Sequence, residues 1–228
     1  MFVGHFAVAF AAKKAAPKTP LVMLVFAATF LDVVWPVLVL LGVESFRIVP
    51  GVTAFSPFDF QSYPWSHSLL MALVWSVLLG WAYLAASGDR AGAFWVGALV
   101  ASHWALDLVS HRPDLPLYPG GAAREGLGLW NSVPATFVVE GTLFALGVAL
   151  YVWTTRAKDR TGSIAWWALV AVLLALWIPG PFSPPPPGER AVAIVGIVAV
   201  LIFTPWAWWI DHHREVQPRP ALETTGSM

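Results

Sequence analysis

Six side chains of ligand or acid–base type lie in or beside strongly apolar stretches of this sequence: His5, Asp32, His67, His103, Asp107 and His111. In "ASHWALDLVSHRPDLP", His103 and Asp107 are four residues apart, so on a helix they project from one face. His111 is four further on. If the helix persists that far, the three form a stripe spreading only about 80° at about 100° per residue. Imidazole and carboxylate together are ligands for a divalent cation. A charged group at mid-bilayer costs about 2.5–3.5 kcal/mol on insertion scales, and a bound cation offsets that cost. None of the six is Lys or Arg, so the set carries no counter-ion of its own. Two other readings use the same residues, a proton pathway and hydrogen-bonded groups that only lock helices together.

The surroundings favour a membrane. The 228-residue chain is 58% hydrophobic and 11% charged, against about 25% charged in soluble domains. Its 14 Trp and 14 Phe suit the two membrane interfaces. Zero net charge gives no case for nucleic acid as a partner. With no cysteine, thiolate nucleophiles and disulfides are excluded, and any metal must be held by His, Asp and Glu. Met1–Ala12 is apolar, but its lysines (Lys13, Lys14, Lys18) follow the apolar run, the reverse of a secretory signal. Residues 2–16 are therefore expected to be a short helix of the mature fold.

Apolar runs near the length of a membrane span fall at about 21–42, 68–86, 91–110, 134–153, 163–179 and 191–210. The expected fold is all-α: a polytopic bundle of about six long transmembrane helices plus the short first one, a single membrane-embedded domain over 1–210. Residues 211–228 read as a polar, frayed tail, with His212 and His213 as an interfacial cluster. If the first helix runs from outside to inside, nine Lys/Arg fall in cytoplasmic loops or the tail and four in outer loops. This bias favours a cytoplasmic C-terminus in the plasma (inner) membrane. Loops 43–67 and 111–133 then face outward, and so do His5, His67 and Asp107, with Asp32 deeper. In "YPWSHSLL", Ser66 is a candidate helix cap beside His67.

Further candidates border this outer face. Glu140 lies about two turns into the helix after "GLGLWNSVP", where it serves as ligand, general base or structural carboxylate. His111 is a second candidate for proton transfer. Arg112, in a Pro-rich rim, is a candidate anion contact. Trp130 and Asn131 join it as candidate substrate-binding residues.

The order of these motifs resembles the membrane-bound metal-dependent hydrolase family. The matching elements, over roughly residues 4–140, are an early "GH" (Gly4, His5), an Asp in the next apolar helix ("FLDVVWP"), "SHS" (His67), and "SHWALD" (His103, Asp107) followed by "PLYP". Where that family often has PD-x-D, this chain keeps only Asp32. The ligand order is also similar to zinc phospholipase C and the related zinc nucleases. Their closing His-x3-Glu or His-x3-Asp is reduced here to Thr136-x3-Glu140, which argues for one or two ions rather than three. The resemblance implies Asp32, His67, His103 and Asp107 as the principal site, with His5 joining a neighbouring ion bridged by Asp107.

The expectation is a membrane hydrolase using Zn²⁺ or a similar divalent ion on a phosphoester or lipid-linked ester at the outer interface, in contact with membrane lipids. A proton- or metal-coupled transporter and a non-catalytic scaffold subunit are the rival readings.

Overall fold

The computed structural model describes residues 1–217. Among them the chain is an all-α bundle with three short antiparallel ribbons at its ends. In order, the elements are α1 (Val3–Ala15), α2 (Leu21–Ala28), α3 (Phe30–Leu40), β1 (Ser45–Ile48), β2 (Phe58–Ser62), α4 (Pro64–His67), α5 (Leu69–Ser87), α6 (Arg90–Ser110), β3 (Leu115–Pro116), β4 (Arg124–Glu125), α7 (Val133–Thr154), β5 (Thr155–Ala157), α8 (Arg160–Trp177), α9 (Glu189–His213) and β6 (Arg214–Val216). Five helices, α5 to α9, are long and apolar enough to cross a membrane, and the bent pair α2–α3 adds up to one more. The protein is a multi-pass membrane protein.

The short first helix is the core of this bundle. Thirteen residues rise only about 20 Å, less than the roughly 30 Å hydrocarbon layer, and α1 is not among the candidate spans. It lies inside the bundle instead, with Val3, Phe6, Ala7, Phe10 and Ala12 all buried. Phe10 meets Trp166 of α8 edge-on at 4.8 Å, and Phe6 meets Phe203 of α9 at 5.5 Å. The closest approach is to α7, where a Cβ on Gly147 would stand 2.4 Å from the Ala7 carbonyl oxygen. Small residues also bring α5 against α6 at Gly80 and Gly97. The outer face of α5 (Leu73, Val77, Trp81) is exposed, as suits lipid.

The structure corrects the expected span at 21–42. The run is broken at Thr29, and α2 and α3 meet at 53°. Thr29 N and Oγ1 both donate to the Val25 carbonyl, at 3.0 and 2.9 Å. Back-bonding of this kind bends helices. Pro36 is carried inside α3 and does not mark the break. Loop 43–67 folds into the β1–β2 ribbon. Its Phe46, Phe58 and Phe60 pack with Trp35 over the end of the bundle.

The polar tail does not begin at 211. Asp211, His212 and His213 are the last residues of α9, and β6 pairs with β5. Asp211 accepts from Val22 N (3.1 Å) and stands 3.6 Å from Lys13 Nζ, which donates to Thr19 O (2.7 Å). Buried Arg214 donates to Thr155. These bonds tie the end of α9 and β6 to α1, α2 and β5 and extend the folded unit past the expected boundary. The remainder of the expected tail, 218–228, lies outside the described residues.

Gly147→Leu forces side-chain volume into the α1–α7 contact. The expected cost is at least about 1–3 kcal/mol, read as a lower melting temperature in detergent. Gly180→Ala, where the added Cβ meets open space, should melt like the parent.

Candidate metal centre

Different elements deliver the five expected ligands. His5 lies in the first turn of α1 and Asp32 in the first turn of α3. His67 ends α4, and His103 and Asp107 lie one turn apart late in α6. The five side chains converge. His5 Nε2 is 3.2 Å from Asp107 Oδ1, and His103 Nε2 is 3.2 Å from Asp107 Oδ2. His67 Nε2 stands 3.6 Å from Asp32 Oδ1 and 3.7 Å from Asp107 Oδ2, and His103 Nε2 is 3.7 Å from Asp32 Oδ1. The His5 and His103 rings stack at 3.6 Å, 6° from parallel. His5, His67, His103 and Asp107 are buried, whereas the Asp32 side chain is 48% exposed toward a cavity.

The hydrogen bonds behind the rings set which nitrogen faces the cluster. His103 Nδ1 is 2.8 Å from the Ala28 carbonyl, which can only accept. The Nδ1 hydrogen therefore lies there, and Nε2 presents its lone pair. The acceptor comes from the α2–α3 break. His67 Nδ1 is 2.8 Å from Ser66 Oγ, and Ser66 Oγ donates to Glu44 Oε2 at 2.6 Å. With its hydrogen committed to the carboxylate, Ser66 accepts from His67 Nδ1, and again Nε2 faces the cluster. Hydrogen bonds to the far nitrogen orient metal-binding histidines in this way.

The donor set fits a divalent cation. Among the described residues, His103 Nε2 and His5 Nδ1 are buried without a hydrogen-bond partner. His103 Nε2 is close to Asp107, yet its direction does not suit a hydrogen bond. Atoms around a tetrahedral ion with bonds of about 2.0–2.2 Å stand about 3.3–3.6 Å apart, near the separations seen here. Two three-residue sets have compatible spacing, His5–His103–Asp107 and Asp32–His67–His103. They share His103, and its single free nitrogen can bind one ion at a time. The Met1 amino group also donates to Asp107.

The cluster closes one end of a cavity of about 600 Å³ whose walls include Trp35, Phe55, Phe58, Phe60, Trp130 and Trp177. The residues leading into α1, the first half of α3 and the loop-side ends of α6 and α8 all reach it. This places the site at one end of the bundle, opposite the Lys13–Asp211 and β5–β6 contacts.

The remaining candidates separate. His111 does not extend the stripe. Helix α6 stops at Ser110, and His111 is extended at φ −69°, ψ 150°. Its ring lies on the cavity wall 4.6 Å from Trp130, with Nδ1 2.9 Å from Asp114 Oδ1. Tyr63 donates to the same oxygen at 2.8 Å, and burial followed by the Asp114 charge pushes its phenol well above the ordinary value. Arg112 is not a free anion contact, because Asp59 and Asp114 pair with it. Glu140 is in neither ligand set. Its oxygens accept from Phe2 N (3.1 Å) and Trp130 Nε1 (3.3 Å), clamping the start of α1 and a cavity-wall indole. Trp130 lines the cavity, but Asn131 is exposed and does not. Ser66 is not a helix cap; Ser68 caps α5 by accepting from Met71 N. Sequence reasoning missed Glu44 and the Ala28 carbonyl. The one available signal was an acid closing an apolar run in "LLGVESF".

No protein-family model, curated protein or solved structure matches the chain.

Glu140→Ala leaves two N–H donors unpaired, that of Phe2 and that of the Trp130 indole. The expected loss is about 1–3 kcal/mol, measured as a fall in melting temperature. An unchanged melting temperature would contradict the clamp.

Proposed function

We propose that this protein is a membrane-embedded hydrolase whose His/Asp cluster holds a divalent cation, Zn²⁺ or one of similar preference, and whose substrate is the phosphoester or acyl ester of an amphiphile. The observation carrying this reading is the tautomer assignment. His67 and His103 both commit Nδ1 elsewhere and turn Nε2 toward two carboxylates at the closed end of an apolar cavity. A scaffold has no need for two imidazole lone pairs beside two carboxylates. The motif order that resembles membrane-bound metal-dependent hydrolases points the same way.

When bound, the cation supplies Lewis acidity toward a phosphoryl or acyl oxygen and toward water. Asp32, half-exposed, is the ligand on the cavity side, while His5, His103 and Asp107 form the enclosed side. The aromatic walls exclude water and receive the apolar part of a substrate entering from the membrane interface. His111, its Nδ1 held by Asp114, offers Nε2 on the cavity wall for moving a proton to or from the reacting oxygens. The positive-inside bias supports an outward-facing site in the plasma membrane, with α9 ending on the cytoplasmic side.

One contact favours the scaffold reading: the Met1 ammonium gives Asp107 a positive partner without any ion. Metal content decides between the two. Protein purified in detergent without chelators is expected to carry about one ion per chain, since His103 Nε2 serves one at a time. His103→Ala and Asp107→Ala should each remove it. Asp107→Asn should elute as a monodisperse peak and lose hydrolysis of a panel of chromogenic phosphodiester and acyl-ester amphiphiles. Stoichiometric metal in both alanine variants overturns the ligand assignment. Ion flux into proteoliposomes without hydrolysis would favour the transport reading.

A further inference from the structure

We infer that Glu44 and Ser66 form a positioning relay for the candidate metal centre, fixing His67 in the tautomer that exposes Nε2; the inference rests on the metal-site reading above. Glu44 is 2% exposed although it lies in the connection from α3, immediately before β1. Every hydrogen-bond partner of its carboxylate is a donor. Oε1 accepts from Trp65 N and Ser66 N, both at 2.8 Å, and Oε2 accepts from Ser66 Oγ at 2.6 Å. Oε2 of the carboxylate can only accept, so its 2.6 Å contact needs the Ser66 hydrogen between the two oxygens, and the Tyr63 carbonyl is a far longer alternative at 3.4 Å. The hydroxyl hydrogen therefore belongs to Glu44. What Ser66 Oγ offers His67 is a lone pair, and Nδ1, at 2.8 Å, must bring the hydrogen.

The direction of the relay matters more than its presence. In Glu44→Gln, the carbonyl oxygen of the new amide is drawn to the two backbone donors, Trp65 N and Ser66 N. Its NH₂ group then faces Ser66 Oγ, which becomes an acceptor from the amide and gives its own hydrogen to His67 Nδ1. The imidazole hydrogen moves to Nε2, the atom facing Asp32 and Asp107, and the ligand lone pair is lost there. An isosteric change one residue beyond the cluster's own neighbours thus disables His67 with little change in shape. Ser66→Ala removes the orienting group, whereas Ser66→Thr retains it.

Cobalt(II), alone, is the probe, added to the metal-stripped full-length protein in detergent. The wild type should show visible d–d bands at one equivalent. Glu44→Gln and Ser66→Ala should each bind about ten- to a hundredfold more weakly, with weakened or shifted bands. Ser66→Thr should restore both affinity and spectrum. If the wild type binds no Co²⁺, the metal reading fails and takes the relay with it. If the wild type binds and both variants match its affinity and bands, the relay alone fails, even where their melting temperatures fall. Should either variant not fold, ¹⁵N NMR of the wild type decides. A hydrogen on His67 Nδ1 is expected, and one on Nε2 overturns the relay.

Discussion

Asp107 is a buried carboxylate near one end of an apolar bundle, and the arrangement of the site follows from compensating its charge. Its two oxygens face His5 on one side and His103 and His67 on the other. Asp32 adds a second carboxylate within reach of the same imidazoles. A carboxylate as buried as Asp107, with half-exposed Asp32 beside it, requires positive charge nearby. Among the described residues no Lys or Arg pairs with either of them. The positive charge at Asp107 comes from the Met1 ammonium, and three imidazoles turned inward make room for a cation.

The helices are arranged to satisfy this constraint. The first helix is too short to span, yet it is wrapped by the rest of the bundle, which buries His5 among the other helices. The break at Thr29 turns α3 so that Asp32 meets the cluster, and the same break supplies the carbonyl that orients His103. The β1–β2 ribbon roofs the cavity with aromatic rings, and the chain arrives there past Glu44, which holds Ser66 and through it His67. Fold irregularities that look like defects in a helical membrane protein are the features that position the site.

How much of this could be read from the residues varies with the kind of signal. The long spans follow from hydropathy, and the pairing of His103 with Asp107 follows from helical period. That the loops at 43–67 and 111–133 share one end of the bundle with His5 follows from counting spans. The break at Thr29 was hidden because no Gly or Pro marks it; a hydroxyl bonding back to Val25 does the bending. His111 was misplaced because periodicity cannot tell that α6 ends one residue earlier and turns the ring toward Asp114. Glu140 stayed open between ligand, general base and structural carboxylate because depth fits all three; its direction is set by Trp130 and the start of α1. Arg112 looked free because its partner, Asp59, lies 53 positions away in sequence. Glu44 was invisible because its role passes through a serine.

The central claim is that one cation lies among His5, Asp32, His67, His103 and Asp107. The most direct test is anomalous diffraction at the zinc absorption edge, from crystals of the zinc-loaded protein grown in a lipid mesophase. The account predicts a single strong anomalous peak about 2.0–2.2 Å from His103 Nε2 and from a carboxylate oxygen of Asp32 or Asp107. A peak elsewhere in the bundle, or a cluster closed by hydrogen bonds with no anomalous density within it, would contradict it.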